Sequence, residues 1–310
     1  MTNKAQSAAP ELAVEIAGVR FRNPVIAASG TFGFGGEYDG LLDIAALGGI
    51  CAKGLTVAAR NGNGGTRLWE TPSGLLNSIG LENPGIEAFI EQELPRLRAL
   101  GPVVIANLSG GSVEEYSRGA ELLSASSVDM IELNISCPNV KSGGIAFGLD
   151  AASAASVVAP VRAVCAKPLI VKLSPGAPDL AAVARACVQN GADALSLINT
   201  VRGMAIDIRR RRPVFDNITA GLSGPAIRPI ALRMVWELYE QVDVPLIGLG
   251  GIACAGDAVE FLMAGAAAVQ VGSASFSNPA AMNQIAAGIE SFMRENNIQT
   301  VNGFNIRRRI

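Results

Sequence analysis

Lys53 follows the apolar run Gly49–Ala52, and Lys172 stands one residue from the end of the apolar run Leu169–Leu173. A lysine at the end of a buried strand can snorkel to water, form a Schiff base with a carbonyl, or hold a fixed positive charge beside an anionic cofactor or substrate. Asn77, Asn107, Asn134 and Asn199 favour the third use. A carboxamide offers donor and acceptor together, which suits a planar ring carrying alternating C=O and N–H groups. Cys137 lies three residues after Asn134, before Pro138, in a polar, glycine-rich segment. The chain has no histidine, which removes Ser-His-Asp and Cys-His catalysis and imidazole metal ligands. A general base must then be Cys, Lys, Tyr, Asp or Glu, and Cys137 is the best placed candidate. The other cysteines, Cys51, Cys165, Cys187 and Cys254, read as small buried hydrophobes.

The elements that must position these residues are legible as short apolar runs alternating with helical patterns. Strands are expected at Pro24–Ala28, Gly49–Ala52, Val103–Leu108, Met130–Ile135, Leu169–Leu173, Ala194–Ile198, Leu246–Gly248 and Val269–Val271. Helices are expected at Ile86–Leu100, Ser112–Ala125, Ala151–Val164, Asp179–Asn190, Ile227–Gln241 and Gly256–Ala264. The order predicts an α/β fold, a (β/α)₈ TIM barrel, over one domain spanning 1–310. A short N-terminal β-hairpin, Leu12–Ile16 with Val19–Phe21, is placed at the barrel floor. Three long connections, Lys53–Pro84, Cys137–Leu149 and Asn199–Pro225, each follow a strand and are expected on the catalytic face. That face gathers Ser29, Lys53, Asn107, Asn134, Lys172, Asn199 and Thr200. It also gathers Gly250-Gly251 and Gly272-Ser273, which open the last two strand-to-helix turns. Such turns are often phosphate sites, although Gly250-Gly251 also reads as a tight turn and nothing more. Gly248-Leu249-Gly250-Gly251 lacks the spacing of a dinucleotide-binding motif.

Composition narrows the class. The chain has 310 residues, 49% hydrophobic and 17% charged, with a formal net charge of −2. The charge balance lacks the basic footprint of a nucleic-acid binder. No apolar run approaches the roughly 18 residues that cross a bilayer, and Met1–Pro10 lacks the pattern of a signal peptide. A soluble, cytoplasmic protein is expected. The five cysteines are widely spaced, without a C-x-x-C pair, which argues against a disulfide framework, a zinc site or an iron–sulfur cluster on this chain; no metal is expected.

Asn134-Ile135-Ser136-Cys137-Pro138-Asn139 resembles the catalytic motif of class 1 dihydroorotate dehydrogenases. Ser29-Gly30-Thr31-Phe32-Gly33, Glu70-Thr71-Pro72, Asn77-Ser78-Ile79-Gly80-Leu81, Val171-Lys172-Leu173-Ser174-Pro175, Ile198-Asn199-Thr200 and Gly221-Leu222-Ser223-Gly224-Pro225-Ala226-Ile227 also match, in the family's order. The resemblance covers roughly Leu12 to Pro279. It implies FMN as cofactor and oxidation of dihydroorotate to orotate, with Cys137 removing the C5 proton while hydride passes from C6 to flavin N5. It places Lys172 by the flavin N1–C2 edge and Lys53 against both flavin and substrate. It assigns Asn77, Ser78, Ile79, Gly80, Leu81, Asn134, Asn199 and Thr200 to the pyrimidine. Ser29, Gly54, Asn107, Asn134, Ile198, Gly224, Gly250, Gly251, Gly272 and Ser273 go to the flavin and its phosphate.

Softer strings, Ser78–Gly85 and Gly203–Asp207, look most like class 1B. That subclass implies a homodimeric core joined in a heterotetramer by an electron-transfer subunit, which carries FAD and a [2Fe–2S] cluster and passes electrons to NAD. The fumarate-linked class 1A is the nearest alternative. A barrel lyase using Lys172 as a Schiff base is the alternative from another class, and a non-catalytic barrel serving as an assembly subunit is a third reading. Ser273 replaces the family's usual threonine, keeping the hydroxyl, and Asn61–Gly65 lacks the prolines common in that loop. The runs Arg209–Arg212 and Arg307–Arg309 read as solvated faces, or more sharply as contacts with the partner subunit.

Overall fold

The computed structural model describes residues 9–136 and 147–306. The chain starts with a hairpin of β1 (Val14–Ile16) and β2 (Val19–Phe21). Then come β3 (Val25–Ala27) and β4 (Gly49–Cys51), an excursion through β5 (Leu68–Thr71) and β6 (Gly74–Asn77), and four further strands. These are β7 (Val103–Leu108), β8 (Met130–Asn134), β9 (Leu169–Lys172) and β10 (Ala194–Leu197). A second excursion holds β11 (Val201–Met204), β12 (Ile206–Asp207), β13 (Arg212–Pro213) and β14 (Thr219–Ser223), after which β15 (Leu246–Leu249) and β16 (Ala268–Val271) follow. The strands β10-β15-β16-β3-β4-β7-β8-β9 close into a barrel in which every neighbour is parallel. Closure leaves no free edge on the barrel, and parallel pairing buries both faces, so these strands are mostly apolar runs. The expected strands match within a residue or so at each end.

Three of the helices begin where a side chain satisfies one of their first N–H groups. Ser112 Oγ accepts from Glu115 N at 3.3 Å, Asp150 Oδ1 from Ser153 N at 2.8 Å and Asp179 Oδ1 from Ala182 N at 2.9 Å. These caps start the helices Val113–Ser124, Ala151–Val164 and Leu180–Gln189. The expected helix Ile86–Leu100 is broken by a π-helical turn, Phe89–Glu93, immediately before Leu94-Pro95. Proline lacks the N–H of a regular turn and crowds the carbonyl four residues back, and the wider turn relieves both. A final helix, Ala281–Glu295, packs its buried Ile285, Ile289 and Met293 on the core.

The hairpin does lie beneath the barrel. Phe21 is fully buried, and its ring would sit 2.8 Å from a Cβ on Gly49, the first residue of β4. The long connections are more ordered than their glycine content suggests. Lys53–Pro84 and Asn199–Pro225 meet in an antiparallel sheet of order β11-β14-β6-β5. Cys137–Leu149 falls mostly outside the described residues, as does Arg307–Arg309. Arg209–Arg212 sits at the exposed β12–β13 turn, where Arg210 pairs with Asp207 at 3.6 Å. Cys254 departs from the expected buried hydrophobe: it is exposed, at the cap of the helix Ala255–Met263. Among the described residues, no helix is long and apolar enough to cross a membrane.

Gly48 leads into β4 so tightly that a Cβ there would stand 2.0 Å from the Asn23 carbonyl oxygen. Backbone cannot yield as a side chain can. Gly48→Ala is therefore expected to cost about 1–3 kcal/mol or more, seen as a lower urea midpoint with an unchanged slope.

Candidate active site

Parallel strands deliver their C-terminal residues to one mouth. Register sets Asn134 beside Lys172, and Lys172 beside Ser196, across β8, β9 and β10. A cleft at this mouth is lined by Ser29, Lys172, Ile198, Asn199, Thr200, Gly224, Gly250, Gly251, Gly272 and Ser273, all expected, together with Thr31, Ser223 and Gln270. Gly250 and Gly251 have φ of 131° and 75°, in the region that disfavours side chains. A Cβ on Gly251 would also lie 2.7 Å from the Gly224 carbonyl oxygen, so this wall of the cleft is bare backbone.

Asn134 and Asn199 share one hydroxyl. Ser136 Oγ donates to Asn134 Oδ1 at 2.7 Å and accepts from Asn199 Nδ2 at 2.6 Å. Asn199 Oδ1 accepts from the Thr200 backbone N–H at 2.7 Å.

The remaining expected residues form a second wall, Lys53, Gly54 and Asn77–Leu81 from the excursion after β4 and Asn107 from β7, outside the lining of that cleft. A Cβ on Gly54 would sit 3.1 Å from Asn107 Oδ1 and 3.3 Å from Leu81 Cδ2. Lys53 is half-buried, its backbone N–H held by the Gly33 carbonyl at 3.1 Å. Asn77 Nδ2 donates to the Gly221 carbonyl at 3.2 Å, and Ser78 Oγ accepts from Asn63 and Asn217, each at 3.1 Å. The Ile79 carbonyl takes the Asn63 N–H at 2.9 Å, and Gly80 packs on the same asparagine. Gly221 joins the two walls. It pairs with Asn77 in the sheet, and its missing Cβ would lie 2.2 Å from Thr200 Oγ1. Glu82 pairs with Arg67, and this bond, the Arg67 charge and the Lys53 charge together hold its carboxyl below the usual value. Cys137 lies outside the described residues.

Below the mouth is a polar cluster that the sequence reading passed over. Glu132 is fully buried in the barrel interior, with Lys172 Nζ 3.8 Å from Oε1 and Lys172 itself only 5% exposed. Ser196 Oγ and Gln270 Nε2 each donate to Oε2 at 2.8 Å, while Asn107 Nδ2 at 2.7 Å and Cys51 Sγ at 3.3 Å donate to Oε1. Burial pushes this carboxyl up, but Lys172 and the hydrogen bonds from Ser196, Gln270 and Cys51 outweigh it and hold it below its ordinary value. The same carboxylate, after burial, pushes the Cys51 thiol well up. Single polar residues in apolar strands (Glu132, Ser196, Gln270) were the available signal.

The arrangement defines a parallel barrel whose mouth carries a cleft with one wall of bare glycine backbone and with lysine and carboxamide side chains around it. The family model for dihydroorotate dehydrogenase matches residues 11–293. A protein of Petrotoga mobilis named "Dihydroorotate dehydrogenase B (NAD(+)), catalytic subunit" is 58% identical over 288 residues, 93% of this chain and 96% of its own. Two of the same name, from Geotalea daltonii and Geotalea uraniireducens, are 55% and 54% identical over 95% and 94% of the chain and 97% and 96% of their own lengths. The chain belongs to the dihydroorotate dehydrogenase family. That membership displaces the lyase and assembly-subunit readings.

Thiol reactivity follows from the same environments. Burial raises Cys51 and Cys165 and pushes Cys187 up to about 12, whereas Cys254 is exposed. At pH 8, iodoacetamide followed by peptide mapping should label Cys254 and leave Cys51, Cys165 and Cys187 unmodified until the protein is unfolded.

Proposed function

We propose that this chain is the FMN-bearing catalytic subunit of an NAD-linked dihydroorotate dehydrogenase, oxidising (S)-dihydroorotate to orotate in pyrimidine (UMP) biosynthesis. The observation that carries the reading is a buried ammonium and a buried, unpartnered acceptor meeting in one cleft. Lys172 and Gln270 both line it, and Gln270 Oε1 has no hydrogen-bond partner among the described residues. Asn107 Oδ1, beside Gly54, is a second such acceptor. A buried acceptor left unpaired costs about 1–3 kcal/mol, so these atoms call for a ligand N–H. The isoalloxazine ring offers an N–H flanked by carbonyls, and the bare Gly250-Gly251 wall with Gly272-Ser273 suits its phosphate.

Bound FMN supplies, at N5, the acceptor for the hydride that leaves C6 of dihydroorotate. The chain's own residues do the rest. Cys137 Sγ takes the C5 proton as general base. Lys172 holds a fixed positive charge against the negative charge that develops in the cleft. Asn77, Asn134, Asn199 and Thr200, with Ser78, Ile79, Gly80 and Leu81, hold the pyrimidine and its carboxylate, and Lys53 adds charge to cofactor and substrate alike. Ser29, Gly54, Asn107, Ile198, Gly224, Gly250, Gly251, Gly272 and Ser273 hold the flavin and its phosphate.

Residues 1–310 act as one FMN-binding barrel domain in the cytoplasm. Its homodimeric core joins an electron-transfer subunit, carrying FAD and a [2Fe–2S] cluster, in a heterotetramer. The relatives' name, a catalytic subunit linked to NAD, supports that partner. So does the absence of C-x-x-C spacing in this sequence.

The purified chain should absorb near ~450 nm, as oxidised flavins do, and bleach when dihydroorotate is added without oxygen. A colourless chain that cannot be reconstituted with FMN would overturn the reading. Cys137→Ala should keep the flavin and slow its reduction by dihydroorotate about 10²–10⁴-fold in stopped-flow traces. Cys137→Ser should recover more activity at high pH than near neutrality, because a hydroxyl is the weaker base.

A further inference from the structure

The interior of a (β/α)₈ barrel is ordinarily packed with branched apolar side chains. Here β8 sends a carboxylate into it. Glu132 and Asn134 are two residues apart, so both face inward. Asn134 stands at the mouth and Glu132 one layer below, fully buried. An ionised carboxylate only accepts hydrogen bonds, so every neighbour must turn a donor toward it. Asn107 and Gln270 have done so with their NH₂ groups, which leaves Asn107 Oδ1 and Gln270 Oε1 buried and unpartnered among the described residues. Lys172 is drawn to the same carboxylate from the next strand. A buried ion pair is no stability device in itself, because apolar residues of similar volume often do as well or better. No step assigned above uses Glu132.

We infer that Glu132 is a positioning residue for the site, anchoring the Lys172 ammonium, turning the Gln270 and Asn107 carbonyl oxygens outward, and offsetting part of the Lys172 charge. Without that offset the cleft would favour an anion more strongly. The inference rests on the reading that a flavin binds beside Lys172. It concerns how far the site pulls that flavin toward its reduced, anionic form. Removing the negative charge while keeping the side chain's shape leaves the Lys172 charge uncompensated and stabilises the reduced form.

The test is spectroelectrochemical titration of FMN bound to wild-type chain, Glu132→Gln and Glu132→Asp. Glu132→Gln should raise the midpoint potential by at least ~30 mV, a tenfold shift in the two-electron equilibrium. Glu132→Asp, which keeps the charge, should stay closer to wild type. A purely structural role would set no sign and give no rescue by the acid. An unchanged or lowered potential in a Gln variant that holds FMN would overturn the inference alone. A wild-type chain that holds no FMN would overturn the functional reading and the inference with it. If Glu132→Gln does not fold, Cys51→Ser serves instead. It puts a stronger donor on Oε1 and should move the potential upward by a smaller amount, and no movement there also counts against the inference.

Discussion

An ionised carboxylate inside a closed barrel is the constraint around which the rest of this molecule is arranged. Taking such a charge out of water costs several kcal/mol even after relaxation, unless donors surround it. Glu132 on β8 collects them from β4, β7, β9, β10 and β16, through Cys51, Asn107, Lys172, Ser196 and Gln270. Each of those side chains is committed inward before any ligand arrives. The strands cannot slip in register without pulling a donor off the carboxylate, so the interior chemistry and the barrel's geometry hold each other in place. Lys172 and Gln270, which line the cleft above, are held by this layer.

Above it, the proposed site draws on chain that does not belong to the barrel. The excursion after β4 supplies Asn77 through Leu81, and the excursion after β10 runs from Thr200 to Gly224. They would be independent loops were it not for the pairing of β6 with β14, which fixes Asn77 against Gly221 and Gly221 against Thr200. Positioning by a sheet is more exact than positioning by a free loop. The long connections are thus a second small scaffold standing on the first.

How much of this was legible in the sequence depends on the range of the interaction involved. Val103–Leu108 and Ala151–Val164 coincide with their expected bounds because an apolar run, or an Asp150 cap before an apolar face, is a local signal. The mouth residues were legible because barrel topology sends every strand end to one place. The small sheet was not. β5 is largely exposed, so no hydrophobic alternation marks it, and its existence depends on partners far along the chain. Glu132 was passed over for a related reason. One acid in Met130-Ile131-Glu132-Leu133-Asn134 reads as noise in an apolar strand, and only the facing Ser196, Gln270 and Asn107 give it meaning. Cys254 was misread because its cap position depends on where the following helix starts.

The pairing of β6 with β14 also sets an order of assembly. Asn77 and its partner Gly221 are 144 residues apart, and in between lie the barrel strands β7 through β10. Closing a span of that length is entropically expensive unless the intervening chain has already condensed. On a ribosome, six of the eight barrel strands, β3, β4 and β7 through β10, are made before Gly221 exists. The surface that joins Asn77 to Thr200 therefore cannot form until most of the barrel strands have been made, and a chain halted before β14 would lack that roof together with β15 and β16, the two strands that close the barrel.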